Sequence, residues 1–178
     1  PDLFSWLAGD ARIAVQVLLV IGGFLAAKSL SPHGLPGLDH PLRAIGRRYL
    51  KLAPPFIVAM LFAVLASYIA GAWMDHDSIL APPSILRFGA HMVLLQDVLG
   101  YEALSAGAWY VAIDFQLYGL MCLLLWLSGR FRHTRNWRWV MPALVGVGVT
   151  ASLFFFNRDS DWDMWAPYFF GSYGLGAL

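Results

Sequence analysis

Residues 52–74 form a run of 23 without a charge, and no other feature restricts the fold as much. At ~1.5 Å of rise per residue this is about 35 Å of helix, enough to cross a hydrocarbon core ~30 Å thick. Lipid offers no water to satisfy backbone N–H and C=O groups, so such a segment is a helix or a strand of a closed barrel. Barrel strands alternate apolar and polar residues, whereas this run is apolar throughout, and the helix is the reading that remains. Similar runs recur. Residues 13–27 and 139–157 carry no charge, residues 103–129 carry only Asp114, and residues 164–178 begin another apolar stretch. The first run reaches spanning length when Arg12 and Lys28 extend to the interfaces. Composition agrees, with 59% of the 178 residues hydrophobic and 13% charged, against roughly 45–50% and about 25% in soluble domains. The expected fold is all-α, a polytopic transmembrane helix bundle of about five spans.

The distribution of charge orients these spans. Residues 28–51 hold Lys28, Arg43, Arg47, Arg48 and Lys51 against Asp39, and residues 130–138 hold four Arg and no acid. The other connections are acidic: Asp75, Asp77, Asp97 and Glu102 oppose Arg87, and Asp159, Asp161 and Asp163 oppose Arg158. Basic loops stay cytoplasmic, which puts the acidic connections outside. Residues 83–100 are apolar enough to be mistaken for a span. As a span they would carry the four-Arg loop to the outside, so the charge pattern makes them a surface or re-entrant helix. Trp6, Trp73, Trp137, Trp139, Trp162 and Trp165 fall near expected span ends, as an interfacial aromatic belt does. Asp39 is a possible cap for a helix starting at Pro41. The single cysteine, Cys122, excludes an internal disulfide and a cysteine zinc site. The chain opens Pro1-Asp2-Leu3 and stops within an apolar run, and it reads as an interior piece of a longer protein, truncated at both ends.

Two clusters carry candidate chemistry. In Arg47-Arg48-Tyr49-Leu50-Lys51-Leu52-Ala53-Pro54-Pro55-Phe56 three cations sit within one and a half turns. Arg47 and Lys51 share a helix face, and Pro54 and Pro55 disturb helical hydrogen bonding just beyond them. Such a cluster is either a positive-inside anchor or a site for a phosphorylated or carboxylated ligand. In the second cluster, Trp109 to Tyr118, Asp114 lies about ten residues into its run, near mid-core. An intramembrane carboxylate marks a function or a polar lock between helices. Tyr110 and Tyr118, four residues to either side on the same face, are its local hydrogen-bond candidates, while Gln116 points to another surface. His33, His40, His76, His91 and His133 lie in loops or in the 83–100 segment, read as solvated or interfacial, and show no zinc-ligand spacing. No metal site is expected.

In this order the motifs resemble those of the acyltransferase 3 family of integral-membrane O-acyltransferases. Val20-Ile21-Gly22-Gly23-Phe24-Leu25 resembles its apolar second helix, usually centred on Ser-Gly-Phe. Residues 47–56 resemble its Arg-Arg-x-x-Arg-Leu-x-Pro-Pro-Tyr pattern, and residues 109–118 its Trp-Ser-Leu-x-x-Glu-x-x-Phe-Tyr pattern. Gly22 replaces the common Ser, Lys51 the second Arg, and Asp114 the Glu. The resemblance implies that residues 1–178 are part of a single acyltransferase-3-like transmembrane domain. It implies transfer of an acyl group, commonly acetyl, from an acyl-CoA donor to a hydroxyl of a carbohydrate or glycolipid acceptor in the cell envelope, at the bacterial inner membrane. No cofactor beyond the donor and no nucleic acid is implied. Asp114 and Tyr118 are the implied catalytic positions, and Arg47, Arg48, Lys51 and Trp109 the substrate-binding ones. The family's catalytic His lies on a first helix, which places it upstream of Pro1 and leaves residues 1–178 alone inactive. The alternatives are a transporter or flippase-like protein without covalent chemistry, since midplane acids and broken helices serve transport too, and a purely structural membrane subunit.

The orientation is open to a direct check. A cysteine introduced as Thr134→Cys should resist an impermeant thiol reagent in intact cells, because four Arg and no acid surround it. Labelling as fast as at Ser160→Cys, in the acidic connection, inverts the topology.

Overall fold

The computed structural model describes residues 3–33, 38–73, 84–101, 103–105, 107–159, 162 and 165–178, with side chains from residue 13 onward. Among them are six α-helices, α1 (Leu3–Leu30), α2 (Pro41–Trp73), α3 (Ile85–Met92), α4 (Ala108–Gly129), α5 (Trp137–Phe154) and α6 (Ala166–Ala177), and no strand. A 3₁₀ turn, Phe156–Arg158, follows α5. The chain is an all-α membrane protein. Four segments are long and apolar enough to cross a bilayer: Ile13–Leu30, Pro41–Trp73, Ala108–Gly129 and Trp137–Arg158. The expected fifth begins at α6, of which 12 residues, about 18 Å of helix, fall within the sequence.

Residues 83–100 were expected not to span, and α3 has only eight residues, about 12 Å. Ser84 starts it, its Oγ accepting the Arg87 N–H at 3.2 Å, the usual N-cap device. Pro54 and Pro55 lie inside α2, which continues through them to Trp73, so the expected irregularity does not break the helix. The two prolines remove only the bonds to the Leu50 and Lys51 carbonyls. Both of those residues are exposed, and the flanking turns carry the helix on. Asp39 is not held as expected over the start of α2; Arg132 Nη1 reaches its Oδ1 at 3.4 Å between two exposed side chains, a pairing worth little in water. Half of the α4 span is buried, against 17% of the other three, so α4 is the packed helix while α1, α2 and α5 turn most of their apolar side chains outward.

Two compact units form, one of residues Pro1–Ile45 with Leu117–Leu178, the other of Gly46–Gln116. In the first, α6 packs on both α1 and α5. Ser152 ties α5 to α6 twice, its hydroxyl donating to Tyr168 O and accepting the Gly171 N–H, both at 2.8 Å. Ser172 hydrogen-bonds Gln16 of α1. The backbones of α1 and α6 approach so closely that a Cβ on Gly23 would collide with the Tyr173 carbonyl, and one on Gly176 with the Val20 carbonyl. In lipid, helices gain little from burying apolar surface and depend on such close approach.

Gly23→Ala should therefore lower the unfolding temperature in detergent although alanine is the better helix former, since forcing two helices apart costs about 1–3 kcal/mol. Gly46→Ala, whose added Cβ meets nothing within 4 Å, should be neutral or stabilising. Equal shifts for the two variants would remove the packing role of Gly23.

Candidate functional site

The 46–116 unit brings the two sequence clusters together, and helix geometry sorts their members. Successive residues of α2 are about 100° apart, so Arg47 and Lys51 share one face and Arg48 another. Arg47 and Lys51 are exposed; Arg48 is half-buried. Its Nη2 lies 2.5 Å from Asp114 Oδ2, across 66 residues of sequence. The structure thus supplies Asp114 with a guanidinium from α2, a partner that α4 alone did not foreshadow. Tyr118, one turn further along α4, is buried; Tyr110 is half-buried and meets Trp109 edge to face at 6.2 Å. Asp114 also lies nearer a helix end than expected. The helix starts at Ala108, six residues or about 9 Å before it, because residues 103–105 and 107 belong to the preceding loop.

The neighbours of the pair extend the contact. Tyr49, next to Arg48, packs its ring against Phe115, next to Asp114, with centroids 5.9 Å apart. Its hydroxyl donates to Met92 O at 2.8 Å. That bond locates the segment between α2 and α4. Tyr49 is 24 residues from Trp73 along α2, about 36 Å, more than the thickness of the hydrocarbon core. Leu94, Leu104 and Ala108 pack with Phe56 and Met60 of α2, and Met60 is still about 20 Å short of Trp73. α3 and the loop after it thus pack against α2 between Tyr49 and Met60, well away from its Trp73 end, and of the two expected forms, surface or re-entrant, the re-entrant one fits this packing.

Backbone that is not helical at membrane depth has to be satisfied by protein, and polar side chains do this. His91, 1% exposed, approaches the Arg87 carbonyl with Nδ1 at 2.8 Å, and its Nε2 accepts the Leu104 N–H at 3.0 Å. The second bond puts the ring proton on Nδ1, so both nitrogens are occupied in the neutral form. The ring lies outside the four spanning helices, and burial lowers its pKa from the ordinary histidine value. The expectation of a solvated or interfacial histidine fails for His91; His33, His40 and His133 are exposed, and His76 lies outside the described residues. Leu94 adopts φ +59°, uncommon and strained for a bulky residue. Its side chain is fully buried, and its carbonyl accepts from Gln116 Nε2 at 3.1 Å.

Gln96 and Asp97, 0% and 7% exposed, were not singled out by the sequence. Gln96 Nε2 donates to Asp97 Oδ2 at 3.1 Å and to Ala108 O at 3.4 Å. Among the described residues, Gln96 Oε1 and Asp97 Oδ1 are buried without a hydrogen-bond partner. Burial raises the Asp97 pKa above the ordinary carboxylate range, with the Gln96 bond pulling the other way. The available signal was three polar residues, His91, Gln96 and Asp97, inside an otherwise apolar segment that ends on Gly100. Among the described residues no three His, Cys, Asp or Glu side chains converge to hold a metal ion.

No family model matches the chain, and no solved structure matches it. The regulator of hypoxia-inducible factor 1 from Caenorhabditis elegans is similar to it, 27% identical over 132 residues that cover 72% of this chain and 26% of that protein. The chain spans about a quarter of that relative's length.

Asp97 makes the buried cluster testable through pH. A carboxyl whose folded pKa is raised binds more protons folded than unfolded, so stability falls as pH rises from the unfolded value of ~3.9 through the folded one. Asp97→Asn removes the buried charge and can donate to Gln96 Oε1. It should raise the unfolding temperature at neutral pH by a few degrees, about 2–4 °C per kcal/mol for a chain this size, and lose the gain near pH 4. The same shift at both pH values would mean that charge burial is not the cause.

Proposed function

We propose that the protein is a membrane-bound O-acyltransferase that moves an acyl group, most simply acetyl, from an acyl-CoA donor to a hydroxyl of a carbohydrate or cell-envelope glycan, with the bacterial inner membrane as its setting. The observation that carries the reading is the meeting of Arg48 and Asp114, one from each of two motifs that resemble the acyltransferase 3 pattern. On this reading Arg47 and Lys51, exposed at the end of α2, meet the donor's phosphates, and Trp109 and Tyr118 flank the acceptor side of Asp114. Asp114 fixes the Arg48 guanidinium so that its N–H groups stabilise charge developing on the thioester carbonyl oxygen. The acceptor hydroxyl oxygen attacks the carbonyl carbon, the C–S bond breaks, and the hydroxyl proton passes through a base to the departing thiolate. The resemblance assigns that base to a histidine upstream of Pro1.

On this reading Asp114 is a positioning residue for Arg48. A transporter or flippase-like activity is the second reading, favoured by the re-entrant segment with its buried carboxyl, since interrupted helices and intramembrane acids line transport sites. Thiol release separates the two, because transport moves the acceptor without consuming the donor.

In the full-length protein in native membranes, acyl-CoA should release thiol in an acceptor-dependent way. Asp114→Asn should lose at least about 10²-fold in turnover, the lower end for acid–base and positioning roles, while Asp114→Glu retains more. Arg48→Ala should impair donor use far more than Arg135→Ala. An apolar replacement of the pair, Arg48→Met/Asp114→Leu, should restore membrane expression by removing the uncompensated charge and leave turnover lost. Near-normal turnover of Asp114→Asn at matched expression sinks the assignment, and acceptor movement without thiol release selects the transporter.

A further inference from the structure

Asp97 lies in the 46–116 unit, in the segment between α3 and α4 that packs against α2. The hydrogen-bond groups around it are short of donors. Gln96 Nε2 has two N–H bonds, and they go to Asp97 Oδ2 and Ala108 O. The backbone N–H groups of Leu95, Leu99, Gly100 and Tyr101 are spent on the carbonyls of Ala90, Leu95, Asp97 and Gln96. Among the described residues, Gln96 Oε1 and Asp97 Oδ1 are left as acceptors without a donor, both sealed from water. Turning the Gln96 amide over does not help, because it would set Oε1 against Asp97 Oδ2 and the Ala108 carbonyl, two acceptors.

The charged and titratable groups nearby do not make up the deficit. His91 engages both ring nitrogens, with Arg87 O and the Leu104 N–H. From α2, Tyr49 gives its hydroxyl to Met92 O, and Arg48 pairs with Asp114 of α4. Tyr110 of α4 sets its ring against Trp109. Among the described residues Asp97 has no ion pair and, besides Gln96, no side-chain hydrogen bond, so neither Arg87 of α3 nor Tyr101 serves it. A buried carboxylate without a compensating charge neutralises rather than stay ionised, and burial acts on Asp97 in that direction. One proton meets the whole deficit. On Oδ1 it turns an orphaned acceptor into a donor, and Gln96 Oε1 is the acceptor at hand. A hard divalent cation takes about six oxygens or more, where the orphaned oxygens are two. A trapped water would bond to both oxygens and leave the charge uncompensated.

We propose that Asp97 is a proton-binding site, its Oδ1–H donating to Gln96 Oε1 while Gln96 Nε2–H donates to Oδ2, so that amide and acid close a reciprocal pair. Carboxyls of this kind in membrane proteins mark proton relays, and the site depends on neither acyl transfer nor transport. The test is infrared spectroscopy of the full-length protein in detergent, reading the stretch of the protonated carboxyl against pH. At pH 6, about two units above the ordinary aspartate value of ~3.9, an exposed aspartate is only ~1% protonated. Wild type should show an aspartic-acid band at least about tenfold stronger than that. Asp97→Asn should abolish it, and Asp39→Asn, at an exposed position, should leave it. Gln96→Leu should keep the band and move it to higher wavenumber, because the carbonyl loses a hydrogen bond. Should Asp97→Asn fail to fold, isotopic labelling of aspartate carboxyls in wild type and Gln96→Leu assigns the band without that variant. Absence of the band in wild type at pH 6 means an ionised, hydrated carboxylate and overturns the proposal. Loss of the band in sodium chloride but not in choline chloride puts a metal cation in place of the proton and overturns it too. A band that Gln96→Leu does not move overturns the reciprocal pair.

Discussion

A guanidinium and a carboxylate set among apolar helices have few ways to be satisfied, and the contact of Arg48 with Asp114 governs most of what surrounds it. Removing either charge from water costs several kcal/mol, and leaving one without the other costs about 3–5 kcal/mol. The pair therefore sets the register of α2 against α4: a slip of one residue on either helix turns the side chain by about 100° and strands both charges. Once 48 meets 114, Tyr49 must lie against Phe115, and Gln116, on a different face, is left to hold the Leu94 carbonyl. The ion pair is better regarded as a device that fixes one arrangement than as a net source of stability, since well-packed apolar residues of the same shape would hold the helices at least as firmly.

The re-entrant segment follows from the same constraint. Beside lipid every N–H and C=O needs a protein partner, and residues 93–101 meet the demand with short turns instead of a helix: Leu94 N to His91 O, Leu95 N to Ala90 O, Gly100 N to Asp97 O, Tyr101 N to Gln96 O. Where local turns run out, side chains finish the work, as His91 does for Leu104 N–H. Leu94 pays for the sharpest bend with a left-handed backbone, and packing against Phe56, Met60 and Ala112 holds it there.

Much of this was legible in the sequence, and what was not has a physical reason. The uncharged runs located α1, α2, α4 and α5, and charge asymmetry identified residues 83–100 as non-spanning; both rest on the cost of placing charge in lipid, a property of single residues. Arg48 and Asp114 were each singled out for the same reason. Their pairing was not legible, because helix periodicity reports neighbours three or four residues away, such as Tyr110 and Tyr118, and is silent about a partner 66 residues distant. The disturbance expected at Pro54 and Pro55 stays local, since two missing bonds in a 33-residue helix are outvoted by the intact turns around them. The burial of His91, Gln96 and Asp97 was not legible, because a short segment between spans looks the same in sequence whether it lies on the membrane or dips into it.

The division of charge along α2 bears on chemistry more directly than the number of charges. Three cations in five residues would repel one another at a bilayer surface if all faced one way. Helix geometry separates them instead: Arg48 turns inward, where Asp114 neutralises it, while Arg47 and Lys51 remain exposed. On the proposed acyl-transfer reading, a multiply anionic donor approaching from water meets two outward cations, while the inner pair is near neutral as a unit and resists being drawn out toward the phosphates. A guanidinium held in this way can point its N–H groups at a less charged, carbonyl-bearing part of the same ligand, and it owes that orientation to a carboxylate that need never touch the ligand. A plain positive-inside anchor needs no inward-facing cation, and the inward turn of Arg48 onto Asp114 is a contact that such an anchor does not require.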